Sequence, residues 1–548
     1  MLIAAVPLGF LGVFFFYPLA SILAVSLREG RAWDADVLGR LVASGTYARV
    51  LWFTTWQAAV STVLTLVVAL PGAYVFARYR FPGKNLVLSL TAVPFVLPSV
   101  VVAAAFQALL GNNGLVNAWL MDAFDLVEPP LAIEQTLWFI LLAHVFYNYT
   151  VIVRIVGGFW SRLQPVMTDA AKMLGASPRR IFFEITLPLL MPAILAASML
   201  VFIFCFSSFG VILILGGPRF STIEVEIYRQ AVHLFNLPMA AVLSIIQIIL
   251  TLAFLWVYTS LQRAFSLPLM PESRTVTERG IRSMKDLALV AGNGCIVLPL
   301  LCAPLAALLY QSFHAADGFT LDFYRFLFLT TDRSVFAVAP MDAALYSVGF
   351  ALATLVLAVS VALPAAVVLS QQKSRLTRVL DPILMLPLAT SAVTLGFGFI
   401  IALDEPPLNL RTSLVLVPLA HTLVAYPFVV RSVLPALRGI PASLKEAAAM
   451  LGASPLRVFA SVVVPIVSRA VIVGAVFAFT ISIGEFGATV FVARPQTPTM
   501  TLAIYRFLGQ PGEMSYGCAM AMSSLLMAVT TAGFLLLDRI RLTGEGEF

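Results

Sequence analysis

Long apolar runs separated by short charged clusters fill the chain from one end to the other. A helix needs roughly 20 mostly apolar residues to cross a bilayer core. Twelve stretches qualify: 2–27, 52–77, 86–110, 135–153, 187–215, 238–261, 287–310, 343–370, 382–403, 413–430, 466–492 and 514–537. The pattern predicts an all-α polytopic membrane protein with about 12 transmembrane helices.

The polar segments between the runs set an orientation. With the N-terminus inside, the cytoplasmic segments collect 22 Lys and Arg against 11 outside, with Arg469 near a membrane edge. Such an excess is the mark of cytoplasmic loops, so both termini are expected on the cytoplasmic side of the membrane. The net charge of +7 is thereby explained by topology, and no nucleic-acid partner is expected. The first run has no basic residue ahead of it and reads as a retained span rather than a cleaved leader. Acidic residues lie mostly outside, 17 against 10. Cys205, Cys295, Cys302 and Cys518 sit singly within apolar runs and read as small core residues. His144, His233, His314 and His421 are too scattered for a metal site, so none is expected.

The chain is written twice. "DAAKMLGASPRRIFFEITLP" at 169–188 and "EAAAMLGASPLRVFASVVVP" at 446–465 agree at 11 of 20 positions, 277 residues apart. The same offset pairs Ala143-His144 with Ala420-His421, Tyr149 with Tyr426, Phe209-Gly210 with Phe486-Gly487 and Ile227-Tyr228-Arg229 with Ile504-Tyr505-Arg506. Farther upstream the offset is 293, pairing Ala69-Leu70-Pro71 with Ala362-Leu363-Pro364. About 16 extra residues therefore fall in the first half, most simply in the outer loop 111–134. Six spans per half return the chain to its starting side, so the repeats are parallel and related by a pseudo-two-fold axis along the membrane normal. The expected domains are 1–262 and 287–548, joined by a cytoplasmic linker at 263–286 containing Pro268 and Pro271.

Within the repeated stretch, Ser443 and Glu446 have the spacing of a capping box. The first copy has Val166 at the serine position, leaving Asp169 only a favourable charge near a helix start. Gly175 and Gly452 stand where a left-handed helix stop is expected. Ser177-Pro178 and Ser454-Pro455 then supply a cap and a first-turn proline for a second helix. Two such helix-turn-helix elements about a pseudo-two-fold suit docking on a two-fold symmetric soluble partner.

An acidic residue, two alanines, a glycine six positions after the acid and a proline thirteen further on resemble the EAA loop of type I binding-protein-dependent ABC importer permeases. Asp169, Ala170, Ala171, Gly175 and Pro188 fill this pattern once, and Glu446, Ala447, Ala448, Gly452 and Pro465 fill it again. Asp169 departs from the usual Glu but keeps a carboxylate. The resemblance implies the type I importer fold and a coupling helix in each loop. It also implies two copies of an ATPase subunit as partners and a periplasmic or extracellular substrate-binding protein. ATP and Mg²⁺ would be used by the ATPase, with no cofactor on this chain. No G-x-x-x-x-G-K-[ST] phosphate loop occurs, Gly83-Lys84 being followed by Asn85, so hydrolysis is assigned to a separate subunit.

Two fused permease halves resemble the thiamine and ferric iron branches of the family. Residues 204–231 and 141–154 resemble the thiamine branch, whereas 482–491 fits either. Polar groups at membrane depth need a reason to be there, and Tyr147, Asn148, Tyr149, Ser207, Ser208, Tyr426 and Glu485 are the pathway candidates. His144 and His421, at equivalent positions, read as sharing a packing role. The binding protein is expected on loops 217–236 and 494–513. A two-times-six parallel repeat also suits an ion-coupled secondary transporter, from which more membrane-centre carboxylates would be expected.

Overall fold

A computed structural model describes residues 2–26, 28–29, 32–33, 39, 44–163, 166–264, 278–329, 338–371, 375–404 and 408–542. Most of the linker, including Pro268, Pro271 and Arg274, lies outside the described residues. Among the described residues, eleven helices are long and apolar enough to span a membrane, and a twelfth span is a bent pair. They comprise α1 (Ile3–Ser26), α2 (Gly45–Arg78), α3 (Ser99–Phe124), α4 (Leu137–Trp160), α6 (Pro178–Phe206) and α7 (Leu237–Gln262) in the first half. The second half has α8 (Met284–Gln311), α9 (Asp342–Ser370), α10 (Ala392–Ala402), α11 (Leu416–Gly439), α13 (Pro455–Gly484) and α14 (Glu513–Leu536). The short α5 (Val166–Met173) and α12 (Ala442–Met450) carry the repeated motif.

The halves interlock. The first span of each packs on the other half: α1 lies against α9 and α10, and α8 lies against α3 and α2. Within the halves, α2 packs on α4 as α9 packs on α11. Small residues permit these close crossings: a Cβ on Gly157 would lie 3.3 Å from the Ala73 carbonyl oxygen, and with apolar lipid outside, such close packing substitutes for a hydrophobic driving force. Cys205 and Cys518 are buried as expected, but Cys295 and Cys302 are exposed on the apolar helix α8, which corrects the core reading for these two.

Two expected spans in each half are not straight. The third breaks between Lys84–Val96 and α3 in the first half. In the second, Leu380–Ala389 meets α10 at 98°. Pro98 lacks an N–H and favours an extended Leu97, observed at ψ 141°. In the second copy Ser391 is extended and its Oγ accepts the Val393 N–H at 3.1 Å, restarting the helix.

The fifth spans, expected at 187–215 and 466–492, end early, at Phe206 and Gly484. After Ser207–Phe209 and Glu485–Gly487 the chain forms Gly210–Leu215 and Thr489–Val492, then returns through Ile223–Tyr228 and Met500–Leu508. The presumed outer loops 217–236 and 494–513 therefore contain buried helices, at 223–228 and 500–504, between exposed stretches at 218–219, 233–236, 495–496 and 511–513. Equivalent hydroxyls hold them inside. Thr54 Oγ1 accepts the Ile223 N–H at 3.0 Å, and Ser347 Oγ accepts the Met500 N–H at 2.8 Å. Each satisfies a helix-start donor that water would otherwise have to reach.

Beside the linker, Tyr79–Arg80 pairs in parallel with Arg279–Gly280. Glu278 accepts from Lys84 Nζ at 2.9 Å, and Tyr79 donates to Asp286 at 2.8 Å while bonding Arg279. Burial pushes the Tyr79 phenol up to about 12, so it is a neutral donor in this clasp. The second half is thus tied to the end of α2.

Candidate translocation site and coupling turns

The repeated motif folds the same way twice. Ala176 N–H reaches the Ala171 carbonyl at 3.0 Å and Gly175 N–H reaches Lys172 at 2.9 Å; Ala453 to Ala448 and Gly452 to Ala449 repeat this at 3.1 and 2.9 Å. These paired bonds close a helix over a left-handed residue, and Gly175 and Gly452 have φ of +80° and +82°. Ser177 and Ser454 Oγ then accept from Arg180 and Arg457 N–H, each at 3.4 Å. The capping box is not formed: α12 begins at Ala442 with Pro441 as its cap, placing Ser443 inside the first turn. Glu446 is exposed farther along the helix. Asp169 lies in the first turn of α5 and pairs with Lys172 at 2.7 Å.

The motif prolines have a structural role. Pro188 and Pro465 cannot donate to the residues four before them, and each follows a π-helical turn, Phe182–Thr186 and Phe459–Val463, the usual accommodation of a broken bond ladder. Helicity nevertheless continues, so each turn joins a rod of 29 or 30 residues, about 45 Å long at 1.5 Å per residue. Beyond each turn the apolar knobs protrude: Met173 and Leu174 are 89% and 88% exposed, Met450 and Leu451 both 89%.

The other ends of the rods meet in the bundle. Phe209 and Phe486, equivalent residues of the two halves, stack with centroids 5.5 Å apart and 26° between planes. Beside each, the broken third span approaches the broken fifth. A Cβ on Gly210 would collide with Ser99, and one on Gly487 would lie 3.2 Å from Ala392 Cβ. Between the breaks lies a cavity of about 500 Å³ lined from both halves, within the ~300–1,000 Å³ usual for small-molecule sites.

Five of the seven pathway candidates line it: Tyr147, Asn148, Ser207, Ser208 and Glu485. Tyr149 and Tyr426 do not. Both are fully buried, and Tyr149 occupies the space above Gly72 of α2, where a Cβ would collide with its hydroxyl. Their matched positions reflect helix packing. Glu224 lines the cavity but its position in a presumed outer loop hid it; the signal was a carboxylate in the apolar stretch 223–228. Its Oε1 accepts from Gln247 Nε2 at 2.6 Å. Glu485 is more tightly held, accepting from Ala488 and Thr489 N–H at 2.9 Å each and from Thr489 Oγ1 at 2.7 Å. It caps the helix that restarts the chain after the break. No Lys or Arg is among the lining residues.

The two histidines, expected to share a packing role, differ. His421 Nδ1 pairs with Ser482 Oγ and Nε2 with Thr489 Oγ1, both at 2.8 Å. His144 Nδ1 pairs with Ser61 Oγ at 2.8 Å, but its Nε2 has no partner among the described residues, and His144 lines the cavity.

The profile of the family described as "Binding-protein-dependent transport system inner membrane component" matches residues 61–267 and again 337–541. The chain belongs to this family. It is a permease with two fused copies of the family's domain, and this accounts for the duplication. Among its relatives, the permease is 26% identical over 539 residues to the "Thiamine transport system permease protein ThiP" of Brucella abortus (strain 2308), covering 96% of this chain and 93% of that one. It is 26% identical over 473 residues to the protein of the same name from Escherichia coli (strain K12), covering 84% and 83%. It is 24% identical over 534 residues to "Probable ABC transporter permease protein y4fN" of Sinorhizobium fredii (strain NBRC 101917 / NGR234), covering 96% and 93%. The permease is therefore the membrane component of an ABC importer, working with an ATPase and a substrate-binding protein.

Proposed function

We propose that this permease carries thiamine, delivered by a binding protein outside, through the cavity between its halves. The observation that carries the reading is the character of that cavity. Two carboxylates, Glu224 and Glu485, face it together with Phe95, Tyr147, Phe204, Phe209 and Phe486, with no Lys or Arg in the lining. A carboxylate attracts a cation, and aromatic faces hold an organic cation by its charge and its ring. Glu485 is committed to capping; Glu224, held by Gln247 and Ser391 at the cavity wall, is the carboxylate assigned to the cargo.

The motion comes from the opposite ends of the rods. One ATPase subunit seats on each of α5 and α12, with termini and linker on that cytoplasmic side. Ala170, Ala171, Ala447 and Ala448 allow close backbone approach, while the Met173-Leu174 and Met450-Leu451 pairs enter a groove. Burying such a side chain contributes roughly 1.5–3 kcal/mol. Each rigid rod then carries displacement of its turn to Ser207–Phe209 or Glu485–Gly487, separating or joining the stacked phenylalanines. Outward opening receives cargo from the binding protein, and hydrolysis in the ATPase restores the inward-facing path.

The test is uptake by the chain reconstituted in proteoliposomes with its ATPase and binding protein. ATP-dependent accumulation of labelled thiamine is expected, reduced at least tenfold by Glu224→Gln. Accumulation of ferric ion instead of thiamine would overturn the assignment.

A further inference from the structure

We propose that His144 is a cargo-contacting residue whose outer nitrogen, Nε2, hydrogen-bonds the transported organic cation, whereas its equivalent His421 is structural. The duplication makes the comparison internal. Both imidazoles are buried, 2% and 1% exposed, and both anchor Nδ1 on a serine hydroxyl at 2.8 Å. They part company at Nε2. In the second half Thr489 Oγ1 takes it at 2.8 Å, with Glu485 Oε2 at 3.4 Å.

The first-half positions equivalent to Thr489 and Glu485 are Ile212 and Ser208. One substitution removes the hydroxyl and the other shortens the carboxylate to a hydroxymethyl, so Nε2 of His144 is left buried and unpaired. An orphaned buried polar group is costly because it has given up its water without gaining a partner, and a chain that retains one beside a cavity gives it a partner that comes and goes. Ser208 and Asn148 line the same cavity. Asn148 Nδ2 donates to the His144 backbone carbonyl at 3.0 Å, which fixes the amide one turn along the same helix. Glu224 stands in the same lining, so the cargo that fits is a singly charged organic cation with a hydrogen-bonding group offset from its charge. The inference rests on the reading of this cavity as the cation's path.

The experiment uses the reconstituted complex with labelled thiamine, measuring cargo delivered per ATP hydrolysed, complex yield and ATPase stimulation by the loaded binding protein. His144→Asn keeps an amide where Nδ1 stands and removes the group at Nε2. It is expected to lower delivery per ATP about tenfold while yield and stimulation stay within twofold of wild type. His144→Gln, whose amide reaches the place of Nε2, is expected to recover most of the loss. Ile212→Thr, which offers Nε2 the hydroxyl found in the second half, is expected to lower delivery with the histidine intact. The proposal is overturned if His144→Asn delivers like wild type, if yield falls in step with delivery, or if Asn and Gln are equally impaired. A wild-type complex that accumulates no thiamine instead brings down the functional reading, and this inference with it.

Discussion

Replacing Gly175 or Gly452 by Val tests the coupling turns at their narrowest point. An added Cβ meets nothing within 4 Å at either position, so the perturbation is confined to backbone conformation. The two residues sit at φ +80° and +82°, where an L side chain costs roughly 1–2 kcal/mol, and a β-branched one more. That penalty shifts the population of the formed turn about 5–30-fold, releasing the two bonds that stop each helix. The knobs Met173-Leu174 or Met450-Leu451 then lose their fixed direction relative to the rod. Gly439→Ala is the control, because its Cβ also meets nothing and its φ is not left-handed. Tagged chains are purified with the ATPase, and retained ATPase and thiamine uptake are measured in the same preparations. Each valine variant is expected to lose at least fivefold in uptake, through dissociation or through hydrolysis without transport, and the control is expected to lose neither. Wild-type uptake by both valine variants would refute the assignment of these turns to coupling.

The stacked Phe209 and Phe486 predict a closure. Replacing both by Ala removes two rings from the junction of the halves and is expected to let preloaded thiamine leak from proteoliposomes without ATP; tight vesicles would show that closure lies elsewhere. Glu485→Ala leaves the Ala488 and Thr489 N–H groups without an acceptor, at roughly 1–3 kcal/mol for each unsatisfied buried donor. The solubilised chain is therefore expected to melt at lower temperature, with Glu485→Gln, which keeps one acceptor oxygen, less affected. An unchanged melting temperature for Glu485→Ala would refute the capping role.

Apolar length, basic-residue asymmetry and a 277-residue internal offset determined that this chain is a duplicated membrane bundle, and the doubled acidic–Ala-Ala–Gly–Pro pattern determined its two matching helix-stop turns. Those features are local: a helix stop needs only a glycine and its neighbours, and a span needs only length. The tertiary structure decided where helices break inside the membrane. An apolar run through Ser207 or Thr390 reads as continuous until the opposing break at Ser99 or Gly487 is seen to fill the gap. It decided that Glu224 belongs to the cavity rather than to an outer loop. It separated Tyr149 and Tyr426, which pack helices, from Tyr147, two positions before Tyr149, which lines the cavity. Hydropathy reports how a residue feels about lipid, but whether a polar group is capped, packed or left open depends on partners far away in the chain. His144 and His421 show this best: equivalent in the repeat, they differ because Ile212 and Ser208 stand where the second half has Thr489 and Glu485.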